Sequence, residues 1–128
     1  MKILGIGVDI IQNKRIKDSI KNHKFKDRIY SNNEIKLSNY SKNKIGYFSK
    51  RFAAKEAFAK ALGTGFRDNL NFKDIEIMNK KLGKPYYAKT KKITQIIKKE
   101  FKVKNFNCFL SISDEKEYST AFAIIEKS

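Results

Sequence analysis

The segment from Lys44 to Leu62 constrains the fold of this 128-residue chain more than any other part of the sequence. It contains no proline, its one glycine lies in the first turn, and residues 53–56 are four consecutive good helix formers. Gly-Thr-Gly follows at positions 63–65, and glycine often closes a helix in the left-handed conformation. We therefore predict a helix of about five turns, against which the rest of the chain must pack.

The segments on either side of this helix alternate between strand and helix patterns. We predict strands at residues 2–11, 74–78, 86–88, 106–112 and 118–124. We predict short helices at residues 12–21 and within 25–40, and a surface helix at 93–101. Residues 113–116 join the last two strands as a hairpin. The sequence thus predicts an α+β fold, a largely antiparallel sheet packed on a long central helix, in one domain spanning residues 1–128.

Several classes of protein are excluded by composition. The longest uncharged stretch, residues 105–113, is nine residues long, far short of the roughly 20 that cross a bilayer. No signal-peptide cleavage pattern follows the N-terminal apolar run. The single cysteine, Cys108, excludes a disulfide framework, and the single histidine, His23, excludes a paired-histidine zinc site. We expect a cytoplasmic protein that does not associate with membranes.

The charge balance indicates an anionic partner without identifying it. Lys and Arg number 29 against 13 Asp and Glu, a net charge of +16. Such a field raises encounter rates with nucleic acids, polyphosphate cofactors and acidic proteins alike. Only four of the basic residues are arginine, the side chain that most often reads bases. Abundant Lys, Ile and Asn are also typical of an AT-rich genome, so the charge leaves the partner open.

Asp9 is the first candidate functional residue, because it lies near the end of the first predicted strand. The glycines at positions 5 and 7 suggest a dinucleotide-binding fingerprint, but Ile10 stands where the third glycine is required. One interpretation of Asp9 is a helix N-cap or a carboxylate at the start of a loop. The other is a metal ligand, since a buried acid among apolar neighbours must be paired or coordinated.

Glu56 is the second candidate, because it falls within an apolar stripe of the long helix. At about 100° per residue the stripe contains Ile45, Phe48, Phe52 and Ala59. A carboxylate there is costly unless a cation lies beside it. Lys60, one turn later, could form a salt bridge with Glu56. Alternatively, Glu56 and Asp9 share a divalent ion such as Mg²⁺, which prefers oxygen ligands.

Elimination favours phosphoryl chemistry if the chain is an enzyme. Nucleophilic catalysis through a histidine would have to use His23, which lies among lysines. A carboxylate base, a divalent ion and lysines suit an anionic electrophile, since they neutralise developing charge. The Gly-Thr-Gly segment is a weak candidate for a phosphate loop, because it follows a helix C-terminus, where the dipole repels anions.

Two blocks of sequence resemble the signature motifs of the holo-acyl-carrier-protein synthases, the small bacterial 4′-phosphopantetheinyl transferases. They are GIGVDI at residues 5–10, followed by Arg15 and Ile16, and RFAAKEAFAKALGTG at residues 51–65. The match continues through DIEI at 74–77, GKP at 83–85 and the closing residues 111–126. The resemblance covers nearly the whole chain in the family's order, and it implies the 4′-phosphopantetheinyl transferase-like fold.

The resemblance implies a specific reaction. Such enzymes move the phosphopantetheine arm of coenzyme A onto a serine of apo acyl carrier protein, release adenosine 3′,5′-bisphosphate, and support fatty acid and lipid biosynthesis. By this resemblance Asp9 and Glu56 bind Mg²⁺, and Glu56 or a water on the metal deprotonates the serine. Lys60 holds the pyrophosphate or the departing bisphosphate, so Asp9, Glu56 and Lys60 form the expected catalytic set.

Further roles are implied for residues outside this set. The motif positions expected near the nucleotide of coenzyme A are Arg51, Lys60, Gly63, Thr64, Gly83, Lys84 and Pro85. Arg15 is expected to face the acidic helix of the carrier protein. The resemblance also implies a homotrimer, with coenzyme A in the clefts between subunits.

One departure from the family pattern keeps two alternatives open. Asp114 stands where the family usually carries histidine, and a negative charge cannot copy a histidine contact to phosphate. A transferase that binds coenzyme A without turnover is therefore one alternative. The other is a non-enzymatic, lysine-rich protein that binds nucleic acid through the basic residues of 91–104 and 21–28; the transferase hypothesis expects no nucleic-acid partner.

Overall fold

A computed structural model of the chain describes residues 2–67 and 69–128. The strands are β1 (Lys2–Gln12), β2 (Ile77–Asn79), β3 (Pro85–Tyr87), β4 (Phe106–Asp114) and β5 (Tyr118–Lys127). The α-helices are α1 (Asn13–Ser19), α2 (His23–Ile29), α3 (Asn32–Ser38), α4 (Lys44–Leu62) and α5 (Lys91–Phe101). A 3₁₀ helix covers Phe72–Asp74. The predicted α+β class is confirmed.

The strands form two antiparallel sheets. One sheet has the order β1-β5-β4, and the other pairs β2 with β3. Asp9 on β1 lies opposite Ala121 on β5, and Val8 lies opposite Phe122. The central position of the last strand, β5, brings both ends of the chain into one sheet. The predicted hairpin is confirmed, with Asp114 and Tyr118 at the ends of its two strands.

Helix α4 has the predicted bounds and lies at the centre of the core. Its N-cap, Asn43, accepts a hydrogen bond from the backbone N–H of Gly46 at 3.0 Å. Gly63 closes it at φ 81°, in the left-handed conformation that glycine adopts without strain. The apolar residues of α4 that are fully covered are Phe48, Ala53, Ala54, Ala57, Phe58, Ala59, Ala61 and Leu62.

The glycines of β1 allow this strand to approach α4 unusually closely. A Cβ atom at Gly5 would overlap the carbonyl oxygen of Ala61, and one at Gly7 would overlap that of Ala57. These glycines therefore serve backbone-to-backbone packing between strand and helix, in agreement with the incomplete dinucleotide fingerprint.

The segment predicted as a strand at residues 74–78 is mostly not extended. A 3₁₀ turn ends at Asp74, and β2 begins only at Ile77. The carbonyl groups of Phe72 and Ile75 accept hydrogen bonds from the buried Lys55 ammonium. The alternating pattern was therefore misleading here, because a distant side chain uses the backbone groups that a longer strand would have paired.

The sheet face turned away from α4 carries a row of exposed apolar side chains. Ile6, Val8 and Ile10 are 60%, 55% and 64% exposed, and Phe109 and Phe122 are also exposed. We call these five residues the outer face. Alternation along β1 places Gly7, Asp9 and Ile11 on the opposite side, towards α4. No helix within the described ranges is long and apolar enough to span a membrane.

Candidate active site

The structure brings together Asp9, Glu56 and Lys60, the three predicted catalytic residues. The Lys60 ammonium donates to Asp9 Oδ1 at 3.2 Å and to the carbonyl of Val8 at 2.9 Å. Asp9 is itself held by β5, because Thr120 Oγ1 donates to its carbonyl at 2.8 Å. Glu56 lies one turn before Lys60 on α4, so all three charges meet where β1 crosses this helix.

Two of the simpler interpretations of these acids are wrong. Asp9 is not a helix N-cap, since Gln12 holds that position for α1 and makes no side-chain cap. Within residues 2–67 and 69–128, Lys60 forms its ion pair with Asp9 rather than with Glu56. A local salt bridge along α4 therefore does not account for the placement of Glu56.

The electrostatics of the cluster leave negative charge incompletely neutralised. Partial burial raises the pKa of the Glu56 carboxyl above its ordinary value, and the neighbouring Asp9 charge adds to the rise. The Lys60 ammonium opposes both effects. One exposed lysine thus faces two carboxylates, an arrangement that favours a further cation between them.

The donor set of this cluster fits a hard divalent cation. Asp9 and Glu56 offer only carboxylate oxygens, and Mg²⁺ typically takes one or two carboxylates with water and phosphate oxygens. The described part of the chain contains no group of three or more His, Cys, Asp and Glu side chains suited to enclosing a metal. The site therefore fits an ion shared with a phosphate ligand better than a closed structural metal site.

Arg51 belongs to a second group that includes the turn between β2 and β3. Its guanidinium donates to Asn79 Oδ1 at 2.6 Å, and Asn79 Nδ2 donates to the carbonyl of Gly83 at 2.9 Å. The guanidinium also lies 3.6 Å from the centre of the Tyr47 ring. Arg51 is only 6% exposed, and its Nε has no hydrogen-bond partner among residues 2–67 and 69–128. The structure thus links Arg51 to the predicted nucleotide-binding turn.

Lys84 and Pro85 line a groove of about 480 Å³ on the outer side of the main sheet. The groove continues over Phe109, Phe122 and neighbouring side chains of β4 and β5. Because Phe122 lies opposite Val8, this surface is on the face of the sheet that Asp9 does not occupy. One chain alone therefore does not bring Lys84 and Pro85 to the side of the sheet that carries the carboxylates.

The remaining predicted residues lie at three separate places. Gly63 and Thr64 follow the C-terminus of α4, where the Gly63 N–H donates to the carbonyl of Lys60 at 3.0 Å. Arg15 is exposed on α1, and Asp114 is exposed at the end of β4. The Gly-Thr-Gly segment thus adjoins Lys60, whereas Arg15 and Asp114 form no ion pair within the described residues.

Sequence analysis missed a buried ion pair beside this site. The Lys55 ammonium lies 2.7 Å from Glu34 Oε1, and both side chains are fully buried. Glu34 also closes a capping box with Ser31 at the start of α3. A usable signal was present, because Lys55 lies on the same face of the predicted helix as Phe48, Phe58 and Leu62, at spacings of seven, three and seven residues.

Comparison with known proteins agrees with this geometry. Residues 5–123 match the family model described as the 4′-phosphopantetheinyl transferase superfamily. A holo-[acyl-carrier-protein] synthase of Pelagibacter ubique is 61% identical over 127 residues, which cover 99% of each chain. A second relative of the same name, from Wolbachia pipientis, is 43% identical over 128 residues, covering 96% of this chain and 97% of the relative.

Solved structures show the same fold. The holo-[acyl-carrier-protein] synthase of Neisseria meningitidis superposes with a TM-score of 0.87 at 38% identity, over 98% of this chain and 99% of that one. The enzyme of Bacillus anthracis, solved in complex with CoA (3′,5′-ADP), gives 0.82 at 35% identity over the full length of both chains. With its motifs, its fold and its full-length relatives in agreement, this chain belongs to the 4′-phosphopantetheinyl transferase superfamily, among the holo-[acyl-carrier-protein] synthases.

Proposed function

We propose that this chain transfers the 4′-phosphopantetheine arm of coenzyme A to a serine of apo acyl carrier protein and releases adenosine 3′,5′-bisphosphate. The observation that carries the proposal is the meeting of Asp9, Glu56 and Lys60 where β1 crosses α4. Asp9 of the first motif is separated by 47 and 51 positions from Glu56 and Lys60 of the second motif, and the fold brings them together. The nucleic-acid-binding alternative gains no support from any relative.

Asp9 and Glu56 are the residues that would hold Mg²⁺. When bound, the ion supplies neutralisation of the charge that develops on the pyrophosphate during phosphoryl transfer. Asp9 contributes a carboxylate oriented by β1, whose backbone is fixed on β5 through the Thr120 hydrogen bond. Glu56 contributes the second carboxylate from a helix that is buried along most of its length.

Glu56 is also the base that we propose for the carrier serine. In the metal-free chain, burial and the Asp9 charge raise the pKa of Glu56, and from its place beside Asp9 and Lys60 the carboxylate can accept the proton of a serine bound at this cluster. The serine oxygen then attacks the β-phosphorus, the bond to the bridging oxygen breaks, and the bisphosphate leaves with that electron pair. Lys60, 55% exposed in its side chain, can turn from Asp9 to the departing phosphate.

We propose that the working enzyme is a homotrimer whose sites lie between subunits. Two features support this assembly. The outer face is too apolar for a surface that stays in water. The groove at Lys84 and Pro85 lies on the opposite side of the sheet from Asp9, so a neighbouring chain could supply the half-site that one chain lacks. Coenzyme A would then bind between the Asp9–Glu56 cluster of one subunit and the Lys84 groove of its neighbour, with Arg51 and Gly83 behind the groove.

The carrier protein is expected to dock on α1. Arg15 is exposed there beside Lys14 and Lys17, and carrier proteins of this type present an acidic helix, as the resemblance implies. Charge complementarity of this kind acts mainly on association and is screened by salt. We propose a cytoplasmic site of action.

A single assay tests the activity. The protein is incubated with coenzyme A, Mg²⁺ and apo carrier protein, and the carrier is weighed by mass spectrometry. We expect a mass gain of one phosphopantetheine, lost on chelation and in Glu56→Gln. If the carrier gains no mass at any metal concentration, the proposal is contradicted. If the protein binds coenzyme A but the carrier gains no mass, the non-catalytic alternative is correct. In that case, activity gained by Asp114→His would show that Asp114 is responsible.

The assembly has its own test. Val8→Asp places a charge on the outer face, and Tyr40→Asp places the same charge on a residue that is 82% exposed after helix α3. Sedimentation should show three chains per particle for the wild type and for Tyr40→Asp, and dissociated chains without activity for Val8→Asp. A dissociated Val8→Asp chain with full activity would contradict a site between subunits.

A further inference from the structure

Asn13 joins three segments of the chain at the end of β1. Its Oδ1 accepts hydrogen bonds from Ser49 Oγ at 2.6 Å and from Ser119 Oγ at 2.8 Å. Its Nδ2 donates to the carbonyl groups of Glu115 at 3.0 Å and Lys116 at 3.2 Å. A side-chain amide has two N–H donors and two acceptor lone pairs, so every hydrogen-bonding position of Asn13 is used.

The groups that hydrogen-bond to Asn13 also need Asn13 as their partner. Ser49 and Ser119 are fully buried, and a buried hydroxyl without a partner is costly. The backbone N–H of Asn13 donates to the carbonyl of Glu117 at 2.8 Å. Because the N-cap of α1 has no capping side chain, the β4–β5 hairpin closes the start of this helix instead.

The Asn13 contacts also fix β1 against α4. Gly7 touches the carbonyl of Ala57, and Asn13 is hydrogen-bonded to Ser49, eight residues or slightly more than two turns nearer the start of the helix. Asp9 lies on β1 between these two contacts, and Glu56 immediately precedes Ala57. The Gly5 and Gly7 approaches hold the first half of β1 against the C-terminal half of α4, and Asn13 holds the end of β1 against its N-terminal half. The distance between the two carboxylates therefore depends in part on the Asn13 contact.

We infer that Asn13 is a positioning residue, which holds the strand of Asp9 and the β4–β5 hairpin in place against the helix of Glu56. The inference rests on the proposed role of these two acids in binding a divalent cation. Asn13 forms no hydrogen bond with either acid among the contacts described, so it acts through the backbone rather than on the reacting atoms.

Asn13→Asp tests this inference with little change in size. The aspartate still accepts from both serines, but it loses both donors and turns an oxygen towards two carbonyl groups. Asn33→Asp, an exposed substitution on α3 with the same change in charge, is the matched control. Binding of Mn²⁺, followed through the electron paramagnetic resonance of the free ion, should weaken roughly tenfold in Asn13→Asp and stay unchanged in Asn33→Asp.

Hydrogen exchange provides a second measurement, independent of the metal. Amides of residues 115–118 should exchange faster in Asn13→Asp than in the wild type, at a temperature well below unfolding. A variant with a lower Tm, unchanged exchange in the hairpin and wild-type Mn²⁺ affinity would show a purely structural role and overturn the inference. If Asn13→Asp does not fold, Ser49→Ala decides the question, with an expected loss of roughly threefold in Mn²⁺ affinity from one missing hydrogen bond.

Failure of this inference can be told apart from failure of the proposed function. A wild-type protein that binds no Mn²⁺, or an Asp9→Asn variant that binds it normally, removes the metal role of the acids and the positioning role of Asn13 together. The positioning role alone is overturned if Mn²⁺ binding by the wild type requires Asp9 but the Asn13→Asp variant binds Mn²⁺ as tightly as the wild type does.

Discussion

Helix α4 carries two neighbouring charged residues, Lys55 and Glu56, that belong to opposite kinds of charge cluster. Lys55 is fully buried, and its ammonium donates to Glu34 and to two backbone carbonyls, so all three of its donors are used. Glu56 is partly exposed and shares one lysine with Asp9. The Lys55 cluster is complete within the chain, whereas the Glu56 cluster is not, and this separates a structural ion pair from a reactive one.

The two clusters also differ in what their charges cost the fold. Burial lowers the pKa of Lys55, and the Glu34 carboxylate opposes that change. Glu34 accepts further hydrogen bonds from the backbone N–H groups of Ser31 and Ile77, so its charge is satisfied on every side. At Glu56 the nearest like charge, Asp9, instead disfavours the ionised form. Burial thus disfavours a charge in both clusters, but the Glu34–Lys55 pair answers it with hydrogen bonds on every side, whereas at Glu56 the Asp9 charge adds to it.

The largest effect is expected where the complete cluster is broken. Lys55→Met should destabilise the protein by about 3–5 kcal/mol, because it leaves the buried Glu34 carboxylate without its cation. Urea denaturation measures this loss. Lys44→Met, an exposed change in the first turn of the same helix, is the control and should shift the midpoint little. Equal stabilities for the two variants would show that the buried pair has no structural role.

Breaking the incomplete Glu56 cluster should instead reduce activity and leave the fold intact. Glu56→Gln should lower the transferase rate by about 10³-fold while the fold persists. Since the folded state raises the pKa of Glu56, it holds the proton more tightly than the unfolded chain does. The ionised carboxylate therefore opposes folding at neutral pH, and that opposition disappears as the pH falls below the unfolded pKa. Thermal denaturation should give a higher Tm for Glu56→Gln at pH 7, and no gain near pH 4, whereas a lower Tm at pH 7 would contradict this assignment.

A double variant sharpens the contrast within the buried pair. Glu34→Gln combined with Lys55→Met removes both charges, so no unpaired ion stays in the core. The combined loss of stability should be smaller than the sum of the single losses by about 1–3 kcal/mol. Strict additivity, measured by urea denaturation of all four proteins, would mean that Glu34 and Lys55 do not stabilise each other.

The smallest effect on stability is expected at Lys60. Its side chain is 55% exposed, and exposed ion pairs contribute about 0–1 kcal/mol, so Lys60→Gln should leave the unfolding midpoint nearly unchanged. Turnover should nevertheless fall by roughly 10–100-fold, because the departing phosphate loses a cation. Lys60→Arg should restore part of the rate. A Lys60→Gln enzyme with normal turnover would place this lysine outside the reaction.

Local patterns were sufficient to predict some parts of the molecule. Helix α4 was predicted with its observed bounds because its propensities, its N-terminal turn and its closing glycine all lie within one stretch of sequence. Asp9 and Glu56 were predicted because each acid stands among apolar residues, which is unusual enough to notice without any structure. Their meeting with Lys60 followed from the family resemblance rather than from periodicity.

Other parts depend on contacts that no local pattern contains. Glu34 and Lys55 are 21 positions apart, and only the packing of α3 on α4 brings them together. The opposite placement of Asp9 and the Lys84 groove depends on strand register, since a shift by one residue would exchange the two faces of β1. Asn13 gave no sequence signal, because its partners lie as far as 106 positions away.

Titration of Mn²⁺ into the wild type, Asp9→Asn, Glu56→Gln and the exposed control Asp18→Asn tests the shared metal most directly. The result predicted here is one ion per chain in the wild type and in Asp18→Asn, with binding lost in both Asp9→Asn and Glu56→Gln. Wild-type affinity in either of those two variants would contradict a single ion held jointly by strand β1 and helix α4.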